Sequence, residues 1–205
     1  RVEKQPNANL IRKGYDELLK AWHSLKQDRN TVAFLISFFC YNAGVQAVLF
    51  LASTFAEKEL HFSSAGLILL VLILQIVAIG GAWASAKLSG KKGNKFSLMI
   101  MLFIWTVVCI VGYFVQTGLD FYLLASAVGL VMGGIQSLSR ATYAKFLPEN
   151  TPDTASYFSF YDVMDKVSTV AGTFVFGFVE QLTGGMRNSV LALAVFFVVS
   201  VVVLA

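Results

Sequence analysis

The chain has 205 residues, of which 57% are hydrophobic and 14% charged, and its formal net charge is +4. A water-soluble domain carries about a quarter charged residues, so this composition excludes a soluble nucleotide-binding fold, a disordered chain and a disulfide-stapled secreted module. Residues 30–56, 60–86, 96–119 and 121–139 contain no Asp, Glu, Lys or Arg, giving runs of 27, 27, 24 and 19 residues. About 20 apolar residues cross a hydrocarbon core as a helix. The expected fold class is therefore all-α: a polytopic membrane protein built as a six-helix transmembrane bundle.

Residues 1–30 are the one extended polar stretch, with seven Lys/Arg and four Asp/Glu. Within it Leu10, Tyr15, Leu18, Leu19, Trp22 and Leu25 recur at helical spacing. The stripe predicts a cytoplasmic linker with an amphipathic helix, either lying in the membrane interface or packed on the bundle. A target helix of the calmodulin type fits less well, because membrane spans follow at once. The chain starts at Arg1 and carries no signal peptide pattern, so it reads as a piece of something longer.

Spans are expected at about 31–56, 66–86, 96–117, 121–144, 155–181 and 188–205. The fifth is the least apolar, with Asp162, Asp165 and Lys166 before the run Val167–Val179 and Glu180 after it. With six spans, one side of the membrane collects thirteen Lys/Arg and the other only Lys58 and Arg187. The positive-inside rule then puts both termini in the cytoplasm. This loop bias also accounts for the basic excess, and no nucleic-acid partner is implied.

In span one, Asn42 and Gln46 lie on one face, with Ser53 further along it. Amide side chains at membrane depth face protein or a wet cavity, as interhelical glue or as substrate contacts. Span four carries Gly129, Gly133 and Gly134, with Gln136, Arg140 and Tyr143 within about 60° of one another on the helix. The glycines read as packing positions, and Arg140 as a side chain that snorkels to the interface. Span five presents Asp162, Lys166, Thr169, Thr173 and Glu180 as one polar stripe, with Asp165 to one side. Ionisable groups at this depth point inward towards a pathway or partner charges. The i, i+4 spacing predicts that Asp162 pairs with Lys166, leaving Asp165 for Arg140 or a cation. Asn42, Gln46, Gln136, Arg140, Tyr143, Asp162, Asp165, Lys166 and Thr169 are thus the candidate solute or ion pathway.

Catalytic motifs are lacking. His23 and His61 are the two histidines, and both lie outside the spans. An intramembrane hydrolase needs a histidine at membrane depth, so no enzymatic activity, metal or cofactor is expected. Cys40 and Cys109 sit in separate apolar runs and read as small buried hydrophobes.

Two stretches carry a family resemblance. Ala86-Lys87-Leu88-Ser89-Gly90-Lys91-Lys92-Gly93-Asn94-Lys95 resembles the loop after the second span of each half of a major facilitator superfamily transporter. Gly90, Lys91, Gly93 and Lys95 match it, while Ala86 stands where Gly is usual and Asn94 where a basic residue is usual. The run Gly133–Tyr143, followed by Pro148 and then Ser159-Phe160-Tyr161-Asp162 and Lys166, is similar to the vacuole-effluxer-like branch. Fungal members of that branch are autophagy-linked exporters of amino acids.

The resemblance covers 31–205 and implies the second, C-terminal six-span half of a twelve-span secondary transporter. It further implies alternating access about a midplane site, a small-molecule solute, no nucleotide, and a missing N-terminal half as partner. The lipid bilayer is the medium, an inner membrane if the source is bacterial. Without its other half, the piece is expected to pair with a second copy of itself. The competing reading is a non-catalytic membrane scaffold whose polar stripes are structural. A transporter half leaves those stripes facing one cleft; a scaffold buries them pairwise.

Overall fold

A computed structural model describes residues 8–148 and 154–205. The first part of the linker expected at 1–30 and the middle of the connection between spans four and five lie outside the described residues. Seven helices follow in order: α1 (Ala8–Leu25), α2 (Arg29–Leu60), α3 (Ser64–Lys92), α4 (Asn94–Phe114), α5 (Gly118–Ala144), α6 (Thr154–Thr183) and α7 (Met186–Leu204). Among the described residues there is no strand. α2 to α7 correspond one to one with the six expected spans. α2, α3, α4, α5 and α7 are each long and apolar enough to cross a membrane. α6 is as long, but its polar residues keep it out of that set.

Capping explains why several helices outrun their apolar stretches. Asp28 accepts hydrogen bonds from the Asn30 and Thr31 amides (3.3 and 2.9 Å) and from the Thr31 hydroxyl (2.7 Å), so α2 starts at Arg29. These bonds, led by that from the Thr31 hydroxyl, hold the Asp28 carboxyl below its ordinary range. Thr117 and Asp120 form a reciprocal capping box that opens α5 at Gly118, three residues before the expected start.

Two helix pairs approach closely. α3 and α5 pack through small residues: Gly81 sits on the Leu130 carbonyl, Gly129 on that of Leu74 and Gly133 on that of Ala78, with no room for a Cβ at any of them. α2 and α6 do the same where Gly172 meets the Ala43 carbonyl. Without side chains in the way, backbones come into direct van der Waals contact. α4 and α7 join on the far side, where Trp105 stacks on Phe197 at 5.3 Å.

α1 packs on α6. Ala21 and Leu25 are buried, Trp22 stacks on Phe160 of α6 at 5.9 Å, and Ser156 donates to Glu17 at 3.3 Å. Tyr15, on its other flank, stays exposed. Of the two cysteines, Cys109 is fully buried and Cys40 only partly so.

Candidate functional site

Where α2, α5 and α6 meet, a cleft of about 570 Å³ opens on one flank of the bundle. α5 makes its main contacts with α3 and α4, and α6 makes its own with α2 and α7, so the two are not drawn together and a gap remains. The cleft lies in the first half of α2, the last three turns of α5 and the first half of α6. In alternating antiparallel helices these segments share one end of the bundle. The junction of α3 and α4 is at that end too; α3 runs through Lys92 and α4 starts at Asn94, so the loop expected there narrows to a turn at Gly93. Asn94 donates to the Thr142 hydroxyl of α5 (3.0 Å) and accepts from Ser89 (2.5 Å) and Lys145 (3.1 Å).

Six of the nine residues proposed from sequence line this cleft: Asn42, Gln46, Gln136, Arg140, Asp162 and Asp165. Asp165 is the centre of the polar network. Its Oδ1 accepts from Asn42 Nδ2 at 2.8 Å and from Gln46 Nε2 at 3.4 Å, and its Oδ2 accepts from Lys166 Nζ at 2.9 Å. The Asn42 amide also donates to Ser168 Oγ at 2.7 Å, which ties α2 to α6 beside the Gly172 contact. Asp165 keeps 21% of its side chain exposed, enough to be met from the cleft.

Asp162 does not pair with Lys166. Arg140 donates instead to Asp162 across the gap between α5 and α6, and its guanidinium lies 5.5 Å from the Tyr161 ring centre and 6.0 Å from that of Phe158. A planar guanidinium stacks on rings and reaches across, where the i, i+4 ammonium is drawn to the nearer carboxylate of Asp165. Lys166 points outward, with 79% of its side chain exposed.

The remaining two candidates turn away. Tyr143 is fully buried and donates to the Tyr157 carbonyl at 2.8 Å, which fastens the end of α5 to the start of α6. Thr169 donates to the Asp165 carbonyl of its own helix at 2.8 Å. Ser53, too, is absent from the cleft lining. In the loop motif, Gly93 supplies a backbone turn at φ 86° and Gly90, Lys91 and Lys95 are exposed. The residue that fastens this turn is Asn94, one of the two that depart from the resemblance.

Sequence reasoning missed Phe38, Tyr41, Ser139 and Tyr161, which form the back wall. Phe38 stacks on Tyr161 at 4.4 Å. The Ser139 hydroxyl donates to the Ile135 carbonyl, so the Tyr41 hydroxyl is the donor in their 2.6 Å contact. Ser139 and Tyr161 entered only as members of the family stretches and Phe38 not at all, although Tyr41 one residue before Asn42 was a usable signal.

The site therefore combines one arginine–aspartate pair, an amide-held carboxylate and an aromatic wall in a cleft open to one side. The profile of the vacuole effluxer Atg22-like family matches residues 1–205. The chain belongs to that family. The Uncharacterized MFS-type transporter YxiO of Bacillus subtilis is 29% identical over 204 residues, covering 100% of this chain and 46% of that protein. Autophagy-related protein 22 of Yarrowia lipolytica is 26% identical over 90% of this chain and 33% of its own length. The namesake from Kluyveromyces lactis is 28% identical over 94% and 41%. The chain thus spans between a third and a half of the length of these relatives. Vacuole effluxer-like membership, with five helices among the described residues long and apolar enough to span, makes it an integral multi-pass membrane protein of the facilitator type.

Proposed function

We propose that this chain is one six-span half of a secondary transporter that moves a small organic solute by alternating access, with amino acids as the solute class. The observation that carries the reading is the single cleft. Gln46, Gln136, Arg140, Asp162 and Asp165 all open into it from three different helices, as a half-pathway awaiting its second half requires. The scaffold alternative predicts pairwise burial, which fits Asn42 with Ser168 but not the exposed Arg140–Asp162 pair. In this reading α6 is a sixth span whose polar face is turned to the pathway, both termini are cytoplasmic, and the protein is not an enzyme. Asp165 receives the solute's ammonium or a coupling proton, and Arg140 with Asp162 forms a pair that the solute or the second half can split.

The test is radiolabelled amino-acid flux in vesicles containing the full-length transporter. Asp165→Asn keeps size and hydrogen-bonding capacity, so insertion and folded yield should hold while flux falls at least tenfold. Normal flux in Asp165→Asn would reduce the cluster to a brace between α2 and α6.

A further inference from the structure

The exposed face of α3 changes character along one line. Leu72, Ile76 and Ile79 project from the bundle, followed by Trp83, which is 68% exposed, and then by Lys87, with Lys91 one turn further on. Leu72, Ile76, Ile79 and Trp83 fall within about 60° of one another on the helix, and Lys87 and Lys91 step round from Trp83 by about 40° and 80°. Lys87 Nζ lies 4.9 Å over the Trp83 ring, and the same pairing recurs beside it, with Lys92 Nζ 6.0 Å over Phe96 at the start of α4. Among the described residues, no carboxylate forms an ion pair with Lys87, Lys91 or Lys92.

We infer that Trp83, Lys87 and Lys91 form a binding site for an anionic phospholipid, its acyl chain along Leu72–Ile79 and its phosphate between the two ammonium groups. The order along the helix matches the order of layers in a leaflet: hydrocarbon, indole at the interface, then cation at headgroup level. An ammonium held over an indole keeps its stem against apolar surface and presents its charge outward. With no carboxylate to neutralise it, the pair of lysines complements a phosphodiester whose headgroup carries no compensating cation. A choline headgroup, which brings its own positive charge, fits worse. Each lysine close to an anionic surface is worth about fivefold in affinity. The site depends on the chain being embedded in a bilayer and not on the solute cleft.

The test uses quenching of Trp83 by brominated lipid. The Trp22→Phe background leaves Trp83 as the lipid-accessible indole, since Trp105 is fully buried. The chain is reconstituted in phosphatidylcholine vesicles containing increasing mole fractions of brominated phosphatidylglycerol or brominated phosphatidylcholine. Phosphatidylglycerol should half-quench Trp83 at a mole fraction roughly twenty- to thirtyfold lower than phosphatidylcholine does. Lys87→Gln with Lys91→Gln should bring the two lipids within twofold, and Lys87→Arg with Lys91→Arg should keep the preference. Equal quenching by both lipids would overturn the inference. So would a preference that survives the glutamine pair, or one lost equally with Lys20→Gln, a general effect of surface charge. Loss of the preference on adding millimolar inorganic phosphate would make this an ion site and overturn the lipid assignment.

Discussion

Arg140 and Asp162 bridge the gap between α5 and α6 with 58% and 57% of their side chains exposed. At that exposure water screens the pair, and its contribution to stability is at most about 1 kcal/mol. Arg140→Gln and Asp162→Asn should each lower the thermal midpoint of the purified chain by no more than a few degrees. In the full-length transporter each should still reduce solute flux at least tenfold. A large loss of folded protein from either substitution would show the pair to be structural. The same residues mark what a sequence can disclose. Amides and charges within apolar helices betray a lined interior, and six of the nine candidates share the cleft. Helical angle says which residues lie on one face and leaves open what that face meets. Hence Tyr143 turned out to fasten α5 to α6, and Thr169 to spend its hydroxyl on its own helix. The partner of Asp162 was illegible for a similar reason: a cross-helix guanidinium cannot be read from i, i+4 spacing.

Among the elements, helix number and order were legible because length and apolarity are one-dimensional properties that the bilayer demands of every span. The ends were less so, since they are fixed by caps. Asp28 illustrates the linkage. Its folded-state carboxyl is held below the ordinary value of 3.8, so its capping contribution is complete above that value and is lost as pH falls through the lowered one. Amide exchange at Asn30 and Thr31, corrected for intrinsic pH dependence, should accelerate only on acidification below about pH 4. In Asp28→Asn that acid step should vanish; its persistence would assign the step elsewhere. The seam between α3 and α5 offers a sharper test. A Cβ at Gly133 would fall on the Ala78 carbonyl, and overpacking of this kind costs roughly 1–3 kcal/mol. Gly133→Val should therefore unfold at clearly lower denaturant than Gly177→Val, since a Cβ at Gly177 meets nothing within 4 Å. Equal midpoints for the two would argue against a tight seam.

For the molecule as a whole, the basic bias and the helix directions make one prediction together. The cleft, the Asn94 clamp and the turn at Gly93 occupy the same end of the bundle, which the charge rule assigns to the cytoplasm. In sealed right-side-out vesicles, an impermeant thiol reagent should label Lys58→Cys and Thr183→Cys and spare Lys91→Cys. Reaction at position 91 from outside would invert the topology and with it the side to which the cleft opens.

The two close seams have a mechanical corollary. α3 with α5, and α2 with α6, meet backbone to backbone, so each pair behaves as a stiff plank. The cleft runs between one plank and the other, and the Tyr41 and Ser139 hydroxyls join them at its back. That fastening is a contact between neutral groups, indifferent to salt and to ordinary changes of acidity. At its back the opening is thus held by a pin that ions cannot loosen, while at its rim the Arg140–Asp162 pair spans the same gap within reach of whatever enters.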